Sequence, residues 1–234
     1  MIDYLILGGG SAGCVLAARL SEDPAKQVVL VEAGRNISAT TMPANISARY
    51  PGRAYIDENN IWPNLKAFIG APRGIAAPRT PRRYEQGRVL GGGSSVNALV
   101  ANRGGPSDYD EWSEMGAEGW SFDAALPYFK KLEHDYDFNN EWHGQSGPLP
   151  VRRITDAKIS PFVSGVMKAL NNQGYPTRPD QNGKWEDGGF VGAIAKDGNG
   201  RRVPTAVVYL SDEVRKRPNL RIITDHLAQT VTFD

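Results

Sequence analysis

The chain has 234 residues, 40% hydrophobic and 23% charged, with 27 basic against 26 acidic side chains and a net charge of +1. This is the balance of a soluble globular protein of one large domain, or one domain with an insertion, and it provides no global field to draw in nucleic acid or an anionic membrane. The single cysteine, Cys14, excludes an intrachain disulfide; no apolar run exceeds five residues, which excludes a membrane-spanning helix; and Met1 opens no signal-peptide pattern, so a cytoplasmic location is expected.

Tyr4-Leu5-Ile6-Leu7 is a short apolar run that stops at glycines and reads as a buried strand. Gly8-Gly9-Gly10-Ser11-Ala12-Gly13 follows. Ser11 to Glu22 then has helical character, with Val15, Leu16 and Leu20 apolar, until Asp23-Pro24 ends it. Val28 to Val31 is apolar at four successive positions, as in a parallel strand covered on both faces. Strand, glycine turn, helix and strand make a βαβ unit, the context in which G-x-G-x-x-G marks a dinucleotide site. Gly8 permits the tight turn, Gly10 lets the backbone approach a pyrophosphate, and Gly13 lets the helix pack on the strand. Ser11 and Ala12 open the helix, whose N-terminus offers free N–H groups to phosphate. Glu32 stands 19 positions after Gly13, at the end of the second strand. A carboxylate there can accept from ribose hydroxyls and repels a 2′-phosphate. Cys14 reads as a packed small hydrophobe rather than a reactive thiol.

Asn36 to Gln86 is long and irregular, and its Trp62, Phe68 and Tyr84 point to a packed segment. Arg73, Arg79, Arg82, Arg83 and Arg88 cluster along this part of the chain; a solvated loop, or a phosphate contact by one or two of them, explains the cluster. Val89 to Asn102 is glycine-rich, then apolar. Tyr109 to His134 reads as helix in two pieces, the second from Asp123 to Leu132 with Pro127 in its first turn and His134 at its polar end. Gly144 to Pro148 is a turn carrying His143 beside it, and Leu149 to Val151 suits an edge strand, where proline is tolerated. Ile159 to Gln173 is a helix stopped by Gly174, and Pro179 to Val203 is turn-rich with short strands. Thr205 to Lys216 reads as one helix. Leu220 to Thr224 and Gln229 to Phe233 alternate like paired strands, with His226 in the turn between them.

The first fingerprint suits FAD and NAD equally; the second glycine-rich segment separates them. Gly87-Arg88-Val89-Leu90-Gly91-Gly92-Gly93-Ser94-Ser95-Val96-Asn97, followed by Ala101 and Arg103-Gly104, resembles the first signature of the glucose–methanol–choline oxidoreductases, flavin enzymes that oxidise alcohols. The resemblance continues through Val31-Glu32-Ala33-Gly34, Asp108 to Trp112, Gly119-Trp120, Leu126 to Lys131, His143-Gly144 with Gly147 to Leu149, Tyr209-Leu210 and Arg217 to Leu220. Trp62 to Leu65 and the Tyr84-Glu85-Gln86 lead-in resemble the bacterial furanic and aryl-alcohol oxidases of that family.

The resemblance implies an α/β fold: a Rossmann-like FAD-binding domain with an incomplete parallel sheet, and the start of an α+β substrate domain. Residues 1–150 would be the first part of the FAD-binding domain, 151–215 a substrate-domain segment, and 216–234 a return to the FAD-binding domain. At the adenosine side it implicates Ser11, Ala12, Glu32, Ala33 and Ala228; along the ribityl chain and flavin ring it implicates Val89, Gly92, Gly93, Asn97, Ala98 and Val100. Gly93 stands where the family usually has Ser or Thr. Val96 stands where covalently flavinylated members carry histidine, so non-covalent FAD is expected. The implied reaction removes a proton from an alcohol and passes its hydride to flavin N5, with oxygen or another acceptor taking the electrons. The family's catalytic histidine would lie beyond Asp234. His134, His143 and His226 are therefore expected to be surface or structural, no residue here is assigned to catalysis or metal binding, and the chain is expected to be the N-terminal part of a longer enzyme that folds poorly alone. Two other readings stand beside this one: an NAD-dependent dehydrogenase, which leaves Gly87 to Gly104 unexplained, and a non-catalytic FAD-binding module.

Overall fold

The computed structural model describes residues 1–68, 80–154 and 159–233; Arg73 and Arg79 of the basic cluster lie outside them. The chain opens with β1 (Tyr4–Leu7), α1 (Ser11–Leu20) and β2 (Val28–Val31). Short elements follow: α2 (Ala44–Ser47), α3 (Gly52–Tyr55), a 3-10 turn (Glu58–Asn60), β3 (Lys66–Ala67), β4 (Arg82–Arg83) and α4 (Gly93–Val96). Next come α5 (Pro106–Glu114), α6 (Phe122–Leu132), β5 (Glu133–Asp135), β6 (Leu149–Arg152) and α7 (Pro161–Asn172). The last are β7 (Thr177–Arg178), β8 (Gly189–Phe190), β9 (Ile194–Ala195), α8 (Thr205–Val208), α9 (Asp212–Arg215) and β10 (Leu220–Ile223). Two compact units form, one from residues 1–98 and 202–234, the other from 99–201. No helix among the described residues is long and apolar enough to cross a membrane.

The first unit is built on a parallel sheet in the order β1-β2-β10. β2 is central, and its Val28 and Leu30 are buried, as four consecutive apolar residues in a two-sided strand require. α1 covers the sheet through Gly13, Cys14, Ala17 and Ala18, small side chains that let helix and strands approach closely. The third strand comes from far along the chain. Leu220–Ile223 pairs with β2 and not with Gln229–Phe233, which forms no strand. Alternation was present in both segments, but 229–233 buries nothing: Val231 and Phe233 are 55% and 91% exposed. The single helix expected over Thr205–Lys216 is two. Ser211 takes an extended ψ of 165° and accepts the Val214 N–H, capping α9 as a new start.

In the second unit β6 is the central strand of the sheet β5-β6-β9, not an edge, running parallel to β5 and antiparallel to β9. Pro150 is tolerated because β9 pairs only Val151 and Arg152, leaving the proline without a β9 partner. α5 and α6 pack through Tyr109, whose ring meets Trp112 at 5.4 Å and Phe129 at 5.7 Å. α6 starts at Phe122, capped by Ser121, so Pro127 lies inside the helix and not in its first turn. His134 belongs to β5 and not to a helix end. α7 runs within the helix expected over Ile159 to Gln173: Ser160 caps it, Pro161 opens it, and Gly174, the expected stop, follows its end at φ +87°.

Candidate cofactor site

β1 ends at Gly8, which turns the chain at φ +97°. Gly10 is the N-cap of α1, and Gly13 packs so closely on the turn that a Cβ there would lie 2.0 Å from the Gly8 carbonyl oxygen. Gly10 is a different case. Its φ of −72° suits any residue, and a Cβ would meet nothing within 4 Å. Nothing inside the chain requires glycine at this position; the open space lies in a cleft that Gly10 lines. Cys14 is wholly buried with Sγ on the Gly9 carbonyl at 3.3 Å, and burial pushes its thiol up to about 11, so it stays protonated and inert.

Glu32 ties the ribose end of β2 to this turn. Its buried carboxylate accepts the Gly9 N–H and the Gly34 N–H, each at 2.7 Å, on different oxygens. Each oxygen keeps a second lone pair, so the group can still accept from a hydroxyl. The Glu32 backbone N–H donates to the Ile223 carbonyl at 2.8 Å, and the Glu32 carbonyl accepts the His226 N–H at 3.0 Å. That pairing brings His226, Leu227 and Ala228 to the mouth of the cleft.

The second glycine loop packs directly on the first. Gly91 N–H donates to the Gly9 carbonyl at 2.6 Å, and Ser94 N–H to Ser11 Oγ at 3.3 Å. A Cβ on Gly92, at φ +49°, would fall 2.7 Å from the Gly10 Cα. Trp62 joins from the irregular segment, its N–H donating to the Gln86 carbonyl at 3.0 Å and its ring under the Arg88 guanidinium at 5.2 Å. Arg82 and Arg83 stand apart on exposed β4, where Arg83 faces Glu58 at 3.5 Å.

These segments bound an open cleft of about 380 Å³, within the range of small-molecule sites. Of the residues expected at a cofactor, Gly8, Gly10, Glu32, Ala33, Gly92, Gly93 and Ala228 line it. Ser11 and Ala12 are exposed in the first turn of α1, Gly13 and Val89 are buried behind the wall, and Asn97 and Ala98 are exposed just past α4. Val100 falls in the other unit. Trp62, Gln86, Gly87, His226 and Leu227 also line the cleft; no spacing in the sequence connects them to the glycine fingerprint, since loop and strand closure alone bring them there.

The three histidines divide by environment. His134 stacks on Tyr136 at 4.4 Å. His226 is exposed and donates Nδ1–H to the Thr224 carbonyl at 2.7 Å. His143 is wholly buried in the second unit, with Nδ1 3.0 Å from Asp135 and 3.1 Å from Glu133, and Nε2 2.7 Å from Asp180. Burial alone would lower its pKa, but the hydrogen bonds to Asp135, Asp180 and Glu133 outweigh it and push the value up to about 10. Burial likewise works to raise Asp135, and bonds from His143 and Arg153 overcome it, holding that carboxyl well below the usual range. Arg103 pairs with Glu133 at 2.6 Å, and Arg153 with Asp135 at 2.8 Å and Asp180 at 2.7 Å. The ligand-type atoms of Glu133, Asp135 and His143 lie within 4.8 Å of one another, but guanidinium groups already occupy the carboxylates and both imidazole nitrogens donate. The cluster is a balanced ion network: His143, with both nitrogens engaged, has no free lone pair to serve as a base.

The family described as GMC oxidoreductase matches residues 2–234. The chain is 42% identical to 5-(hydroxymethyl)furfural oxidase of Methylovorus sp. (strain MP688), over 96% of this chain and 43% of that protein. It is 36% identical to oxygen-dependent choline dehydrogenase of Vibrio vulnificus (strain YJ016), over 99% of this chain and 40% of that one. Its fold matches the solved structure of pyridoxine 4-oxidase from Mesorbium loti with a TM-score of 0.83 at 31% identity, covering 96% of this chain and 42% of that one. An FAD-dependent oxidoreductase from Chaetomium thermophilum matches at 0.81 and 29% identity, over 95% and 38%. The chain spans about two fifths of the length of the relatives it matches.

Proposed function

Since the chain belongs to the GMC oxidoreductase family, we propose that it builds the dinucleotide cradle of an FAD-dependent oxidoreductase acting on CH–OH groups. The observation that carries the reading is the cleft in which the two glycine loops and Glu32 converge, with Gly10 leaving room that no part of the chain fills. The amides of Ser11, Ala12 and Gly13 precede the first intrahelical bond, Cys14 N–H to the Gly10 carbonyl, and free helix-start amides of this kind would meet a pyrophosphate. Glu32 accepts from ribose hydroxyls and disfavours a 2′-phosphate. Gly92 and Gly93 offer backbone without side chains to the flavin-ward part, and Asn97, Ala98 and Val100 complete that side of the proposal. Val96 is 4% exposed and has no nucleophile, so the cofactor is held without a bond through this residue. FAD when bound supplies the hydride acceptor; this chain binds and orients it.

In this reading residues 1–150 and 216–234 serve the FAD-binding domain and 151–215 begins the substrate domain; the compact units are a division by contact alone. The substrate is a small alcohol and the electron acceptor oxygen or another carrier, as the names of the furfural oxidase and the oxygen-dependent choline dehydrogenase suggest. A cytoplasmic site of action belongs to the same proposal, resting on a single, buried cysteine.

The test is a titration of the intact protein with FAD, followed by anaerobic addition of hydroxymethylfurfural, choline or pyridoxine. Saturable quenching of flavin fluorescence is the expected result for this chain, which carries no residue assigned to catalysis, and bleaching of the visible band by one of the alcohols is what the oxidoreductase reading requires once the catalytic residue is present. Binding without bleaching by any alcohol even then would make it a binding module, and no binding would overturn the reading.

A further inference from the structure

Arg202 is a buried cation that meets no buried anion among the described residues. It is 1% exposed. Its guanidinium donates through Nε to the Ile46 carbonyl at 3.2 Å, through Nη1 to the Ser94 carbonyl and Asn97 Oδ1 at 3.0 Å each, and through Nη2 to the Asn97 carbonyl at 2.5 Å. Every one of these acceptors is neutral. Burial brings its pKa down to about 10, with no carboxylate among the described residues to offset the loss; the group is still charged at neutral pH. Arg103 and Arg153, also buried, each face carboxylates. Burying a charge among neutral dipoles is unfavourable unless something else compensates.

The position of those acceptors shows what the charge serves. Ser94 and Asn97 belong to the turn that starts at Gly93 in the cleft wall. The same turn is held from the same distant segment by Thr205, whose N–H donates to Ser94 Oγ at 3.0 Å and whose Oγ1 lies 2.9 Å from it. Arg202 and Thr205 thus grip the second glycine loop from more than a hundred residues away.

We propose that Arg202 is a positioning residue for the dinucleotide: it fixes Asn97 and the Gly93–Asn97 turn, and its uncompensated charge takes the anionic cofactor as its partner. The inference rests on the FAD reading above.

The experiment compares the intact wild-type protein with Arg202→Lys and Arg202→Gln by FAD titration and by the midpoint potential of the bound flavin. Lysine keeps the charge and loses the planar fork, so the FAD dissociation constant rises about threefold with the potential unchanged. Glutamine loses the charge as well, so the constant rises about thirtyfold and the potential becomes more negative. A folded Arg202→Gln with weaker binding but an unchanged potential would mean structural support alone and would overturn the charge assignment. If Arg202→Gln does not fold, Arg202→Lys decides, and wild-type affinity in it overturns the proposal. If the wild type takes up no FAD, the FAD reading has failed and takes this inference with it; if the wild type binds FAD and both variants match it, only this inference has failed.

Discussion

Gly10 and Gly13 stand three residues apart and answer to different constraints. Gly13 is fixed by the carbonyl of Gly8, 2.0 Å from where its Cβ would sit. Gly13→Val should therefore abolish cooperative folding, seen as loss of the thermal transition. Gly10→Val fills only open space. Its stability should stay within about 1 kcal/mol of wild type, while the FAD dissociation constant rises at least about tenfold in a fluorescence titration. Gly93 makes the reverse case: a Cβ there is also unobstructed, and Gly93→Ser should melt like wild type and bind FAD more tightly by supplying a hydroxyl. Glu32→Gln replaces one acceptor of the Gly9 and Gly34 amides by an NH2 group. A loss of about 1–3 kcal/mol in chemical denaturation is expected. The glycine fingerprint and the acid after it were legible in the sequence. The different roles of Gly10 and Gly13 were legible too, from their places in the motif; that Gly92 packs on the Gly10 Cα was not, because it depends on what stands opposite the missing Cβ.

Among the elements, the β5–β6 sheet depends most on charge. His143 is protonated between Glu133, Asp135 and Asp180. Its folded pKa, about 10, lies above the ordinary 6.5, so its contribution is complete below 6.5 and is lost as pH rises toward 10. Asp135 and Asp180 are shifted the other way from 3.8; their contribution is complete above that value and is lost on acidification. Hydrogen exchange of the β5 and β6 amides should be slowest, relative to the intrinsic rate, between about pH 4 and 6.5, and protection that grows steadily to pH 9 would contradict this. His143→Gln leaves three buried carboxylates with two guanidiniums, a loss of about 3–5 kcal/mol measurable by denaturant melts. None of this network was visible in the sequence, where His143 stood beside a turn. Its partners lie on β5 and in the loop at Asp180, and local pattern carries no trace of that meeting. For the same reason β6 reads as an edge strand: Pro150 is a local signal, and the strand that ends just short of it is a distant one.

Across the whole molecule, pattern made the local elements legible, and of the distant joins only the return of 216–234 and the place of Ala228 were read, through the family resemblance. β1, α1 and β2 follow one another, and hydrophobic pattern with glycine punctuation located all three. The pairing of Leu220–Ile223 with β2, the Arg202 clamp, and the arrival of Trp62 and His226 at one cleft all join residues far apart in the chain. Among the described residues β1 keeps one edge unpaired, with Leu5 and Leu7 56% and 46% exposed. An open apolar edge recruits other strands, so the 234-residue chain should self-associate. Sedimentation that shows a monomer at about 100 µM would rule this out. The late origin of the clamp has a further consequence, for biosynthesis. On the ribosome β1, α1 and β2 emerge first and can dock at once, and the second glycine loop can then meet the first through Gly91 and Ser94, but its outer side lacks the Arg202 and Thr205 bonds until those residues have left the exit tunnel, and β2 keeps a bare flank until Leu220–Ile223 follows. A nascent chain arrested before Arg202 would carry both glycine loops without the bonds from Arg202 and Thr205 that brace the second.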